Sequence, residues 1–85
     1  MADNVTIRYR AQMEALAGCS SEQLEATTVQ AVLDHIKKQF GKETLKKAKT
    51  MLIAVNGVSI LRLRHYKTAL KAGDEVSFMP ICAGG

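Results

Sequence analysis

One apolar stripe constrains the fold of this chain more than any other feature. Val29, Val32, Leu33, Ile36 and Phe40 recur at three- and four-residue intervals, which places them on one face of an α-helix that needs a covering surface. Two threonines precede the stripe. Thr27 with Gln30 fits the capping-box spacing, whereas Thr28 puts Val29 at the first helical position. Gly41 follows Phe40, where a left-handed cap commonly ends a helix. His35 falls off the stripe and reads as exposed.

The flanking segments supply the covering surface. Val5-Thr6-Ile7-Arg8-Tyr9-Arg10 alternates apolar and polar residues, the period of a strand with Val5, Ile7 and Tyr9 buried. Gln12 to Ala17 reads as a short helical connection, and Gln23-Leu24-Glu25 as the return strand of a hairpin. After the helix, Lys42 to Thr50 is polar, with room for a helical turn around Leu45. Met51-Leu52-Ile53-Ala54-Val55 is a near-continuous apolar run, which suits a strand buried on both faces. Asn56-Gly57 is a hairpin turn signal and sends Val58 to Leu61 back as another strand. Arg62 to Lys71 is a basic connection from which Leu70 returns to the core. Gly73-Asp74 then turns the chain into a last strand, residues 75–79. Two hairpins around one helix make an α+β domain with a mixed sheet of four to five strands on one helix face. With the first and last strands parallel at the sheet centre, this arrangement is a β-grasp. Its expected extent is residues 1–79, with residues 80–85 as a flexible tail.

That tail is Pro80-Ile81-Cys82-Ala83-Gly84-Gly85. Proline cannot donate to a strand ladder, so regular pairing is expected to stop at Pro80. Six extended residues reach about 20 Å. Two glycines make a thin stalk that passes where a Cβ would not, and other atoms can approach it closely. The Gly85 carboxylate is an unhindered acyl group; activated as an acyl-adenylate, it can accept sulfur or an amine.

Composition excludes several classes. The 85 residues suffice for one domain, and 47% hydrophobic content with one proline argues against disorder. No apolar run approaches the roughly 20 residues of a membrane helix. Met1 to Asn4 lacks the basic and apolar regions of a signal peptide, so the expected location is the cytoplasm. Cys19 and Cys82 are the only cysteines, too few for a zinc site or a disulfide framework. Cys82 reads as a small apolar side chain of the tail, although a transfer role for its thiol is conceivable. Residues 1–34 hold two basic and five acidic side chains, and residues 35–85 hold ten basic and three acidic ones. A basic half attracts acidic partners. Base stacking needs exposed aromatics, and Phe40, the one aromatic near the lysine cluster, belongs to the apolar stripe. The expectation is a solvated surface, with no nucleic acid, membrane or metal bound.

Val5-Thr6-Ile7-Arg8-Tyr9, followed by Ala11-Gln12 and Leu16-Ala17-Gly18, resembles the opening of ubiquitin-like sulfur carriers of the MoaD/ThiS family. Thr28-Val29 and Ala54-Val55-Asn56-Gly57 fit the same pattern. Leu70-Lys71-Ala72-Gly73-Asp74-Glu75-Val76, with Phe78-Met79-Pro80 and Gly84-Gly85, carries the likeness most specifically. The nearest resemblance is to the small subunit of molybdopterin synthase, MoaD. It implies a sulfur carrier with no catalytic machinery and no bound cofactor. A ubiquitin-activating-type adenylyltransferase (MoeB/ThiF-like) would adenylate Gly85 with ATP. A sulfur donor enzyme would convert the adenylate to a thiocarboxylate, and the tail would enter the synthase large subunit to build molybdopterin. Strand pairing and the resemblance together name Arg10, Ile60, Leu61 and Met79 as partner contacts, with Pro80, Ile81, Cys82, Ala83 and Gly84 leading to Gly85. The chain departs from the pattern at Arg10, where the family usually presents an apolar or aromatic side chain, and in the basic segment 61–67. Alternative roles are a sulfur carrier for thiamine thiazole synthesis, a ubiquitin-like modifier conjugated through Gly85, and a β-grasp binding module with an inert tail.

Overall fold

Alternation in the first strand settles which way the sheet faces. In a computed structural model that describes residues 4–80, β1 (Asn4–Tyr9) buries Val5, Ile7 and Tyr9 and turns Asn4, Thr6 and Arg8 outward. A short helix, α1 (Gln12–Ala17), leads to β2 (Ser21–Glu25). This strand returns antiparallel, with Val5 opposite Leu24 and Ile7 opposite Glu22.

The apolar stripe becomes α2 (Val29–Phe40). Of the two candidate caps, Thr28 is the one used: its hydroxyl accepts from the Ala31 N–H at 3.1 Å, satisfying a donor that the first helical turn leaves free. Val29, Val32, Leu33 and Ile36 are buried, and Phe40 is half-buried at the end of the row. Gly41 ends α2 with φ 96° and ψ 173°, an extended positive-φ conformation rather than the left-handed cap expected. Only glycine enters that region readily. It lets the chain start α3 (Lys42–Lys49) at once, a full helix where the sequence predicts one turn. Burial of Thr44 and Ala48 anchors α3.

The second hairpin is shorter than its pattern predicts. β3 (Leu52–Val55) and β4 (Val58–Ser59) pair through Val55 and Val58. Asn56 and Gly57 both have positive φ, 52° and 85°, as a type I′ turn requires. Ile60 and Leu61 do not extend β4; they start a 3₁₀ turn, Ile60–Arg62, capped by the Ser59 hydroxyl accepting from the Leu61 N–H. A second 3₁₀ turn spans His65–Lys67. The chain then bridges to the start of α2: the Leu70 N–H donates to the Thr27 carbonyl at 2.9 Å, and Leu70 enters the core.

β5 (Glu75–Met79) completes a five-stranded sheet of order β2-β1-β5-β3-β4. It runs parallel to β1 and antiparallel to β3. This is the β-grasp expected. Val76 and Phe78 face α2 from the sheet centre with no exposed surface. Phe78 stacks on Tyr9 at 6.1 Å, and Phe40 meets Tyr9 edge-on at 6.0 Å. The start of β5 is clamped to the hairpin turn: the Asn56 amide donates to Asp74 at 3.0 Å, and its oxygen accepts from the Glu75 N–H at 2.9 Å. Those contacts, led by the Asn56 hydrogen bond and followed by the Lys71 N–H, hold the Asp74 carboxyl below the usual range.

Candidate functional site

The far end of β5 is where the sheet releases the chain. Pairing holds through Met79, which registers with Leu52, while Tyr9 registers with Phe78 on the other side. Pro80 follows outside the ladder and is exposed. A strand with neighbours on both sides gives this exit a fixed position and direction. Ile81, Cys82, Ala83, Gly84 and Gly85 lie outside the described residues.

The exit has different walls on its two flanks. Toward β1, Arg10 is exposed just past the strand end. The next residue, Ala11, takes φ 53° and ψ −124°, a strained conformation for a residue with a Cβ. This corner turns the chain into α1 and leaves a recess of about 210 Å³ lined by Arg8, Arg10, Ala11 and Glu14. On the outer sheet face the Arg8 Nε donates to Glu75 at 2.7 Å. Toward β3, a recess of about 170 Å³ is lined by Leu52, Ile60, Leu61, Tyr66 and Lys49 among others.

The sequence-derived contact residues divide accordingly. Arg10 is on the surface and Met79 is half-buried beside Leu52. Leu61 is 72% exposed. Ile60 is a correction: at 4% exposure it is packed into the core, because the 3₁₀ turn swings it inward and its successor outward. Ile60 therefore offers almost no surface beyond its share of the recess toward β3.

One half-buried polar group escaped sequence reading. Glu22 sits on the inward side of β2, accepting from the Tyr9 hydroxyl at 2.6 Å and lying 3.1 Å from the His35 Nε2. His35 is thus half-buried against Glu22 and edge-on to Phe40 at 6.2 Å, not exposed. Burial, reinforced by the Glu22 hydrogen bond, pushes the Tyr9 hydroxyl far above its ordinary pKa, so it acts as a donor. The signal was present in the alternation itself: Glu22 is two residues from Leu24, on the same strand face. Cys19 is a free thiol and is half-buried. Among the described residues, no group of three or more His, Cys, Asp or Glu could hold a metal ion, and no helix is long and apolar enough to cross a membrane.

Residues 7–85 match the model of the ThiS family. The chain belongs to this family of ubiquitin-like sulfur carriers. Its members are small carrier proteins that are generally not catalysts themselves. None of the curated proteins matches the chain. Among solved structures, small archaeal modifier protein 1 from Methanosarcina acetivorans is similar, with TM-score 0.83 and 23% identity over 100% of this chain and 99% of that one. A putative molybdopterin converting factor subunit 1 from Pyrococcus furiosus gives TM-score 0.68 and 28% identity over 93% and 98%. Subunits 1 and 2 of the molybdopterin-converting factor from Helicobacter pylori were solved as a complex; the match there has TM-score 0.69 and 23% identity, covering 96% of this ThiS-family chain and 99% of that one.

Proposed function

We propose that this ThiS-family protein carries sulfur on its Gly85 carboxylate for molybdopterin synthesis, with residues 80–85 as the carrying arm on a 1–79 β-grasp body. An activating adenylyltransferase transfers AMP from ATP to the carboxylate, releasing pyrophosphate. Sulfide-level sulfur (HS⁻) released by a donor enzyme then attacks the acyl carbon; the C–S bond forms as the C–O bond to AMP breaks, and loss of the thiol proton leaves a thiocarboxylate. The arm enters a larger catalytic subunit, whose residues position the sulfur for transfer. Arg10, Leu61 and Met79 contact the partners around the exit, and the carrier itself binds no cofactor. The cytoplasm, where ATP-dependent activation takes place, is the proposed location.

The observation that carries this reading is the family match running to Gly85, beyond a central strand that ends at Met79. A sheet-centred exit lets the body act as a rigid grip while the tail is threaded. The similarity to a molybdopterin converting factor subunit at 28% identity favours the pterin pathway.

Adenylation by the activating enzyme, followed as ATP–pyrophosphate exchange, tests the reading. Full-length protein should support exchange, and a variant lacking Gly84 and Gly85 should support none while keeping its circular dichroism spectrum. Exchange by the truncated protein would rule out Gly85 as the activated group.

A further inference from the structure

The connection from β4 to β5 exposes apolar side chains within a run of positive charge. Leu61 is 72% and Leu63 43% exposed, and Arg62, Arg64 and Lys67 accompany them. Residues 60–71 contain no acidic side chain. The loop is nonetheless held in place. The buried Thr68 hydroxyl donates to the His65 carbonyl at 2.7 Å and accepts from the Arg64 N–H at 3.0 Å. These bonds keep His65 at φ 56°, a conformation that a residue with a Cβ resists.

Leu61 walls the recess of about 170 Å³, with Leu52 and Ile60 beneath it. At its rim, the Lys49 ammonium lies 5.9 Å from the centre of the Tyr66 ring, and His65 meets that ring at 4.3 Å. No carboxylate lines this recess among the described residues. Because Leu52 registers with Met79, the recess opens at the same end of the sheet as Pro80.

We propose that this recess docks a partner-protein segment in which an aliphatic or aromatic side chain is flanked by carboxylates. The apolar residue fills the space beside Leu61, and the carboxylates meet Lys49 and the nearby arginines. Interfaces are built in this way, from an apolar anchor within a charged rim. The surface does not suit single-stranded nucleic acid. Tyr66 is half-buried with Lys49 over its ring and His65 against it, and the exposed groups beside the arginines, Leu61 and Leu63, offer bases no stacking face. The inference rests on the proposed docking of partners at the tail exit and adds the chemistry of what they present there.

The test is titration of the ¹⁵N-labelled full chain with a blocked hexapeptide, Asp-Glu-Leu-Phe-Glu-Asp, followed by amide chemical shifts. Saturable shifts are expected at Lys49, Leu52, Leu61, His65 and Tyr66. They should weaken with salt, and affinity should fall about tenfold in Leu61→Ser and in Lys49→Glu. Leu61 is exposed enough for the serine variant to stay folded, which its spectrum verifies. The inference is overturned if the peptide gives no saturable shift, if Lys-Arg-Leu-Phe-Arg-Lys binds as well, or if Leu61→Ser binds normally. Tighter binding of a single-stranded oligonucleotide at the same amides also overturns it. The two proposals fail separately: a protein that is adenylated but ignores the peptide keeps its carrier role and loses this site, and the reverse outcome does the opposite.

Discussion

Adjacent residues of β5 should respond oppositely to substitution, because Phe78 faces α2 and Met79 faces outward. Phe78 is fully buried and stacked on Tyr9. Phe78→Ala removes its transfer free energy and opens a cavity, at about 3–5 kcal/mol. An 85-residue domain has a total stability of roughly 4–13 kcal/mol. With a urea slope near ~1.5 kcal/mol/M, the midpoint should fall by about 2 M or more. Met79 is half-buried at the strand end, so Met79→Asp should cost only about 1 kcal/mol. Its main effect is expected in the proposed docking. Activation of Met79→Asp by the adenylyltransferase should show a raised KM for the carrier, whereas Lys46→Asp should not. The comparison is unequal in charge: Lys46→Asp removes two units of positive charge from a chain of net +4, and Met79→Asp removes one. Were long-range attraction in control, Lys46→Asp would be the more damaging. Equal losses of stability at positions 78 and 79, or a larger KM effect at Lys46, would refute the assignment of faces.

Other substitutions test separate parts of the account. Thr28→Ala should lower stability by about 1 kcal/mol through loss of the helix cap, while Thr27→Ala changes little; urea unfolding of the two variants decides which threonine caps. Asp74 has a folded pKa below its unfolded value, so its contribution is present above the unfolded pKa of about 3.9 and disappears as pH falls through the folded one. The stability gap between the native protein and Asp74→Ala should therefore narrow from neutral pH to about pH 3, and a gap that widens on acidification would reverse the sign. Cys82→Ala should leave sulfur loading intact, as measured by thiocarboxylate yield; complete loss would assign the thiol a part in transfer.

β1 and α2 were readable because each keeps one buried face, and burial imposes a period. β1, α2 and β5 carry alternating or helical apolar patterns, and their boundaries follow the sequence closely. Asn56-Gly57 was readable for a different reason, since few residues accept two successive positive φ values. Where the pattern misled, local and tertiary preferences diverged. Val58 to Leu61 has strand composition, but the Ser59 hydroxyl caps a 3₁₀ turn and the strand stops after two residues. That single event buries Ile60, exposes Leu61 and creates the recess with Lys49 and Tyr66. Residues that meet only through folding, such as Tyr9, Glu22 and His35, leave no spacing signal between them. The acyl chemistry proposed for the terminal glycines rests on their lack of side chains and does not depend on the fold.

Intact mass spectrometry of the protein isolated from its native cells tests the central claim most directly. The expected result is a population whose mass corresponds to one oxygen of Gly85 replaced by sulfur, reverting to the unmodified mass after alkaline hydrolysis. Detection of only the unmodified mass during active molybdopterin synthesis, or of isopeptide conjugates through Gly85 without any thiocarboxylate, would contradict it.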